Sequence, residues 1–153
     1  MREVKDAVAR FRALGGEEKR SVMLAVVLLP YCWLALRSLG LARVLARLRR
    51  LPTGVQLTPD AIQSARLLGR AVNIAARRGP FRMSCLTRSV LLAWLLRRRG
   101  IDVGVRIGVK VSAGEMAAHA WVQCAGVPVN DRPDIAAEFA PFDEVAPLAV
   151  FRS

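Results

Sequence analysis

The sequence holds a single histidine, His119, followed by Ala120, Trp121 and Val122. Cys85 lies thirty-four positions upstream and Asp131 twelve positions downstream. A thiol, an imidazole and a carboxylate are the parts of a cysteine nucleophile, its base and the group that orients the base. Each residue also has a plainer reading. A free cysteine is most often a small core residue, and a lone strand histidine is most often satisfied by backbone groups. What favours chemistry is that all three sit at positions where the elements around them would serve it.

Cys85 falls at the start of a helix that follows Gly79, Pro80 and a short lead-in and begins near Ser84. Unpaired N–H groups and the positive end of the dipole at such a start favour thiolate over thiol. The Cys85 N–H there would also face an oxyanion formed at an attacked carbonyl. Leu86, Val90, Leu91, Trp94 and Leu95 give this helix a broad apolar face, and Arg97, Arg98, Arg99 and Gly100 mark its end. The Arg97–Arg99 run reads either as an anion grip or as a solvated helix end.

After Gly100 the apolar period becomes two: Val103, Val105, Ile107, Val109 and Val111 alternate with Gly104, Arg106, Gly108 and Lys110. Ser112–Met116 reads as a loop, and strands are predicted over about Ala117–Gln123 and Val127–Asp131. A three-residue turn at Cys124, Ala125 and Gly126 pairs His119 with Asp131, with Cβ atoms roughly 5 Å apart on one face. A two-residue turn instead sets His119 opposite Arg132 and sends Asp131 to the other face. Asp134 is the fallback acid. Trp121 shares the face of His119, either walling a site or packing on Val129. Cys32, in an apolar helix, and Cys124, in a turn, have no base at matching spacing and read as structural.

Upstream, Val4, Val8, Phe11 and Leu14 repeat at helical spacing over Glu3–Leu14. A second helix is predicted from Glu17, kinked or ended near Pro30, and a third carries Leu41, Val44, Leu45 and Leu48. Leu51–Leu57, with Pro52 and Gly54, reads as a linker. Thr58, Pro59 and Asp60 are an N-cap, a first-turn proline and a dipole-matched acid, opening a helix to about Arg78. Helices followed by strands predict an α+β fold, with a helical region over 1–57 and the site-bearing domain over 58–153.

The chain has 153 residues and 54% apolar residues, enough for one packed core. Its net charge of +12 is uneven. From Lys19 to Ile101 sixteen Lys or Arg face one acid, Asp60, whereas Asp131–Glu144 holds five acids and one Arg. Such a split suits an anionic partner, and Arg-solvated helix faces explain it equally well. Three cysteines without a CxxC pair argue against a disulfide framework or a zinc ribbon. No cofactor or metal motif is present, and a reducing cytoplasm is expected. Val22–Leu36 is the one membrane candidate. Its fifteen residues fall short of the roughly 20 that span a bilayer, so a buried or partner-docking helix is expected.

The segments SCLTRSVLLAWLLRRRGI, VGVRIGVK and AHAWVQCAGVPVND together resemble the transglutaminase-like leader peptidases of lasso peptide biosynthesis, the microcin-processing protein family. The likeness covers about Pro80–Asp131. It implies a papain- or transglutaminase-type core in which Cys85, His119 and Asp131 are nucleophile, base and orienting acid. Gln123 stands where members commonly carry Glu, outside that triad. It also implies a substrate, a ribosomally made precursor peptide whose leader is removed, and as partners a small leader-recognition protein and the lasso cyclase. No nucleic acid is expected as a partner. The residue pattern leaves two rivals: a transglutaminase-type acyltransferase, and a non-enzymatic basic module for membrane or nucleic acid.

Overall fold

The computed structural model describes residues 15–79 and 83–141. The predicted helix Glu3–Leu14 lies outside them. Four long helices come first in the described chain: α1 (Gly16–Leu39), α2 (Leu41–Arg49), α3 (Pro59–Arg78) and α4 (Cys85–Arg98). They are followed by β1 (Gly104–Ser112), β2 (Glu115–Cys124), β3 (Val127–Pro128), a short α5 (Ile135–Glu138) and β4 (Ala140–Pro141). The strands form one antiparallel sheet in the order β3-β2-β1-β4. This is the α+β arrangement expected from the sequence.

The helix boundaries follow local chemistry. The Thr58 side chain accepts the Ala61 N–H with Pro59 in the first turn, and the Ser84 side chain accepts the Thr87 N–H. At the other end of α4, Gly100 takes φ +79 and its carbonyl accepts from Gly54 and Val55, fixing the linker across the helix end. Arg97 donates to Asp102 and to the Val103 carbonyl, while Arg98 lies over the Trp94 ring. Of the two readings of the Arg97–Arg99 run, these contacts make Arg97 and Arg98 parts of a helix end rather than an anion grip.

α1 departs from expectation. It neither kinks to a stop nor ends at Pro30 but runs 24 residues through it. One ladder bond is lost at Pro30, and packing on α3 and α4 offsets that loss. The objection that this segment is too short to span a bilayer therefore falls: by length and composition α1 suffices to cross a membrane. Val22, Ala25 and Leu29 are nonetheless buried, in one core with Leu68, Val72, Leu92 and Leu96 of α3 and α4 and with Val122 and Cys124 of β2. Helix α4 is the centre of that core, sandwiched between α1, α3 and the sheet.

The predicted loop at Ser112–Met116 and the predicted three-residue turn at Cys124–Gly126 are both two-residue turns instead. Ser112 pairs with Glu115 around Ala113–Gly114, so β2 starts at Glu115 rather than Ala117. Cys124 pairs with Val127 around Ala125–Gly126, so the second turn has two residues and Cys124 ends the strand, fully buried. In both turns an alanine takes positive φ (52 and 48) ahead of a glycine (81 and 78). That is the twist-matched hairpin geometry that usually calls for Asn or Asp at the first position.

Candidate active site

β2 carries His119 opposite Gly108 of β1. A Cβ on Gly108 would stand 2.8 Å from Phe139 Cβ and 2.9 Å from the Trp121 ring. The missing side chain thus lets both aromatic groups close over the strand beside the histidine. Trp121 stacks near the His119 ring, with centroids 6.3 Å apart at 24°, and Phe139 lies at 5.3 Å and 40°. The imidazole is held between aromatic walls in two directions, and Trp121 itself is buried.

His119 Nε2 lies 2.6 Å from Asp131 Oδ2. A carboxylate only accepts, so Nε2 carries the hydrogen in this pair, and in the neutral ring Nδ1 is then the basic nitrogen. That is the tautomer a general base needs. The second oxygen, Asp131 Oδ1, accepts the Arg132 N–H at 2.8 Å, which orients the carboxylate.

The contact arises by a route the hairpin arithmetic did not foresee. The three-residue turn that was to pair His119 with Asp131 is absent, and the observed register, extended, would set His119 against Arg132. The ladder ends one bond beyond Pro128, however, where the Val129 N–H donates to the Val122 carbonyl at 3.0 Å, and the chain then bends away before Asp131. Asn130 makes the break: its Oδ1 accepts the Val122 N–H at 2.8 Å, in place of a strand partner. Its Nδ2 donates to Ser89 Oγ, and its carbonyl accepts from Asn73 Nδ2 at 2.8 Å. Leaving the ladder releases Asp131 from strand alternation and turns it to His119. Gly69 makes room, because a Cβ there would collide with the Val129 carbonyl oxygen.

Cys85 is the first residue of α4, partly exposed and reduced. Ser84 caps the start through its side chain, and its carbonyl accepts the Arg88 N–H. Four residues on from Cys85, on the same helix face, Ser89 Oγ donates to the Ala120 carbonyl at 3.0 Å. Helix α4, which Cys85 opens, is therefore bonded to β2 at the residue next to His119. A cleft of about 590 Å³ opens between the helices and the strand, lined by Asn73, Arg77, Arg88, His119, Asp131 and Phe139 among others.

The other candidates separate clearly. Asp134 is exposed and lies near Arg132, so the residue bonded to His119 is Asp131. Cys32 donates to the Thr87 carbonyl, and burial pushes its thiol up to about 11. Burial, with Asp102 nearby, raises the Cys124 thiol as well. Neither suits a nucleophile at neutral pH. The residues that sequence reading missed are Asn73, Ser89 and Asn130, polar side chains on three elements that converge only in the fold. A buried-facing serine one turn after the helix-start cysteine, and an asparagine before the acid, were the available signals.

Among the described residues no three His, Cys, Asp or Glu side chains gather as metal ligands do. No curated protein and no solved structure matches the chain. The profile of the transglutaminase-like superfamily matches residues 25–143, which include Cys85, His119 and Asp131 and most of the helical core as well as the sheet. On that match, over more than half its length, the chain belongs to the transglutaminase-like superfamily.

Proposed function

We propose that this protein is a cysteine peptidase that removes the leader from a ribosomally made lasso peptide precursor in a reducing cytoplasm. It would act beside a separate leader-recognition protein and ahead of a lasso cyclase. The superfamily includes both cysteine peptidases and acyltransferases. The observation that carries the catalytic part is the His119–Asp131 bond at 2.6 Å, with Cys85 opening the helix tied to the same strand. The leader-peptidase part rests on the resemblance of the CLTRS, VGVRIGVK and HAWV segments.

In this reading His119 Nδ1 takes the Cys85 proton and Asp131 holds the imidazolium through Nε2. The thiolate attacks the scissile carbonyl, forming an S–C bond, and the oxyanion accepts a hydrogen bond from the N–H of Cys85. Collapse breaks the C–N bond, and His119 returns the proton to the leaving amine, the new N-terminus of the core peptide. A thioester remains on the leader. Water then attacks it, again with His119 as base, releasing the leader carboxylate and restoring the thiol.

The test is incubation of the chain with the precursor encoded beside its gene and the neighbouring recognition protein. Mass analysis should show leader and core separated by hydrolysis, with Cys85→Ala inactive. An amine adduct on the leader in place of the free carboxylate would move the assignment to acyl transfer. Processing by Cys85→Ala would exclude the assignment altogether.

A further inference from the structure

A second cleft of about 530 Å³ adjoins the one at His119 and shares Asn73, Arg77, Asn130 and Asp131 with it. Together they make a groove between α3 and the 128–133 segment that leads to the histidine. Its helical wall is a single stripe of α3, with Arg66, Arg70 and Arg77 at i, i+4 and i+11. Arg88 of α4 continues the wall beside His119.

The charges in this groove are unevenly used. Arg132 is committed to Glu138, Glu138 also to Lys110, and Asp131 to His119. Arg70 has only a long contact of 3.7 Å to Glu18. Arg66 and Arg77 are exposed and enter no ion pair among the described residues. Arg88 gives one N–H to Asn73 Oδ1, while its buried Nε has no partner. A buried guanidinium N–H without an acceptor is costly, and a carboxylate is the acceptor that fits it.

We infer that this groove binds an acidic stretch of the substrate polypeptide, with Arg66 and Arg77 as specificity residues and Arg88 meeting the carboxylate nearest the site. That the ligand is a polypeptide rests on the peptidase reading; that it is acidic rests on the groove. From Arg66 to Arg77 the helix rises about 16 Å, the length of roughly five extended residues. The groove thus reads a short segment beside the scissile bond rather than a whole domain. Guanidinium groups in a cleft raise both the encounter rate and the discrimination against basic sequences.

The test titrates fluorescein-labelled hexaglutamate against the full chain carrying Cys85→Ala, so that binding is read without cleavage. Arg66→Glu with Arg77→Glu should weaken binding by about tenfold or more. Arg43→Glu with Arg49→Glu changes the net charge equally on exposed positions of α2 and should leave binding within about twofold. Equal weakening by the two pairs, or none by the first, would overturn the groove as the site. An oligothymidylate that bound more tightly than hexaglutamate through Arg66 and Arg77 would overturn the peptide ligand in favour of nucleic acid. Groove binding that survives while the wild type cleaves no precursor would instead count against the peptidase reading alone.

Discussion

Asn130 Oδ1 accepts the Val122 N–H at 2.8 Å, and with that bond the chain leaves the β2–β3 hairpin one residue before Asp131. The Val122 carbonyl still accepts the Val129 N–H, but the acceptor that the Val122 N–H would have had in the ladder is replaced by a side chain, which frees the following residue to turn. The same asparagine reaches Ser89 on α4 and, through its carbonyl, Asn73 on α3. One residue therefore ties the acid of the candidate triad to both helices that flank the cleft.

Asn130→Ala should consequently cost more than a surface substitution. It leaves the buried Val122 N–H without its acceptor, a loss of about 1–3 kcal/mol in stability by denaturant titration. The rate of precursor cleavage should fall further than this stability loss explains, because Asp131 loses its anchor. Asn130→Asp keeps an acceptor for Val122 but not the donor to Ser89, and should fall between the two. A variant with full activity and lowered stability would show that Asn130 only braces the fold.

Gly69→Ala probes the same segment from the helix side. Its Cβ would meet the Val129 carbonyl oxygen, a backbone atom that can give way only by moving the 129–131 bend. A destabilisation of roughly 1–3 kcal/mol is expected, with a loss of turnover. Gly54→Ala is the control, since nothing lies within 4 Å of the position its Cβ would take, and it should change neither.

Asp131→Asn should reduce turnover by about 10²–10⁴-fold without abolishing it, because the nucleophile remains while the base loses its orientation and its counter-charge. Asp134→Asn should leave turnover unchanged, its carboxylate being exposed beside Arg132. Equal losses in the two variants would show that net acidity, not the bond to His119, matters.

Cys32 provides a pH test that does not involve the site. Burial raises its thiol to about 11 from an ordinary value of 9.0, so the folded chain keeps a proton that the unfolded chain releases. The contribution to stability is fully present below pH 9 and is lost as pH rises towards 11. Chemical denaturation from pH 8 to 11 should show that decline, and Cys32→Ala should flatten it. A decline of the same size in Cys32→Ala would place its origin in other groups.

The legible parts of the sequence were those settled by near neighbours. Thr58 with Pro59, and Ser84 three residues before Thr87, fix helix starts within one turn of chain, and both appear where the pattern puts them. The period-two run to Val111 gives β1 for the same reason. The turn at Ala125–Gly126 was not legible, because an alanine must enter the left-handed region there, at a cost of roughly 1 kcal/mol that only the closed sheet offsets. Nor was Asn130, whose partner Asn73 is 57 residues away. The proximity of His119 and Asp131 was foreseen for the wrong reason: a register argument stood in for a bend that long-range side-chain bonds create.

The central claim is that His119 acts on the Cys85 thiol, and it can be measured without any substrate. Iodoacetamide modification, followed residue by residue by mass spectrometry between pH 6 and 7, should label Cys85 well ahead of Cys32 and Cys124. In His119→Ala that advantage should disappear. Cys85 labelled no faster than Cys32 and Cys124, or labelled at the same rate with and without the imidazole, would contradict the account.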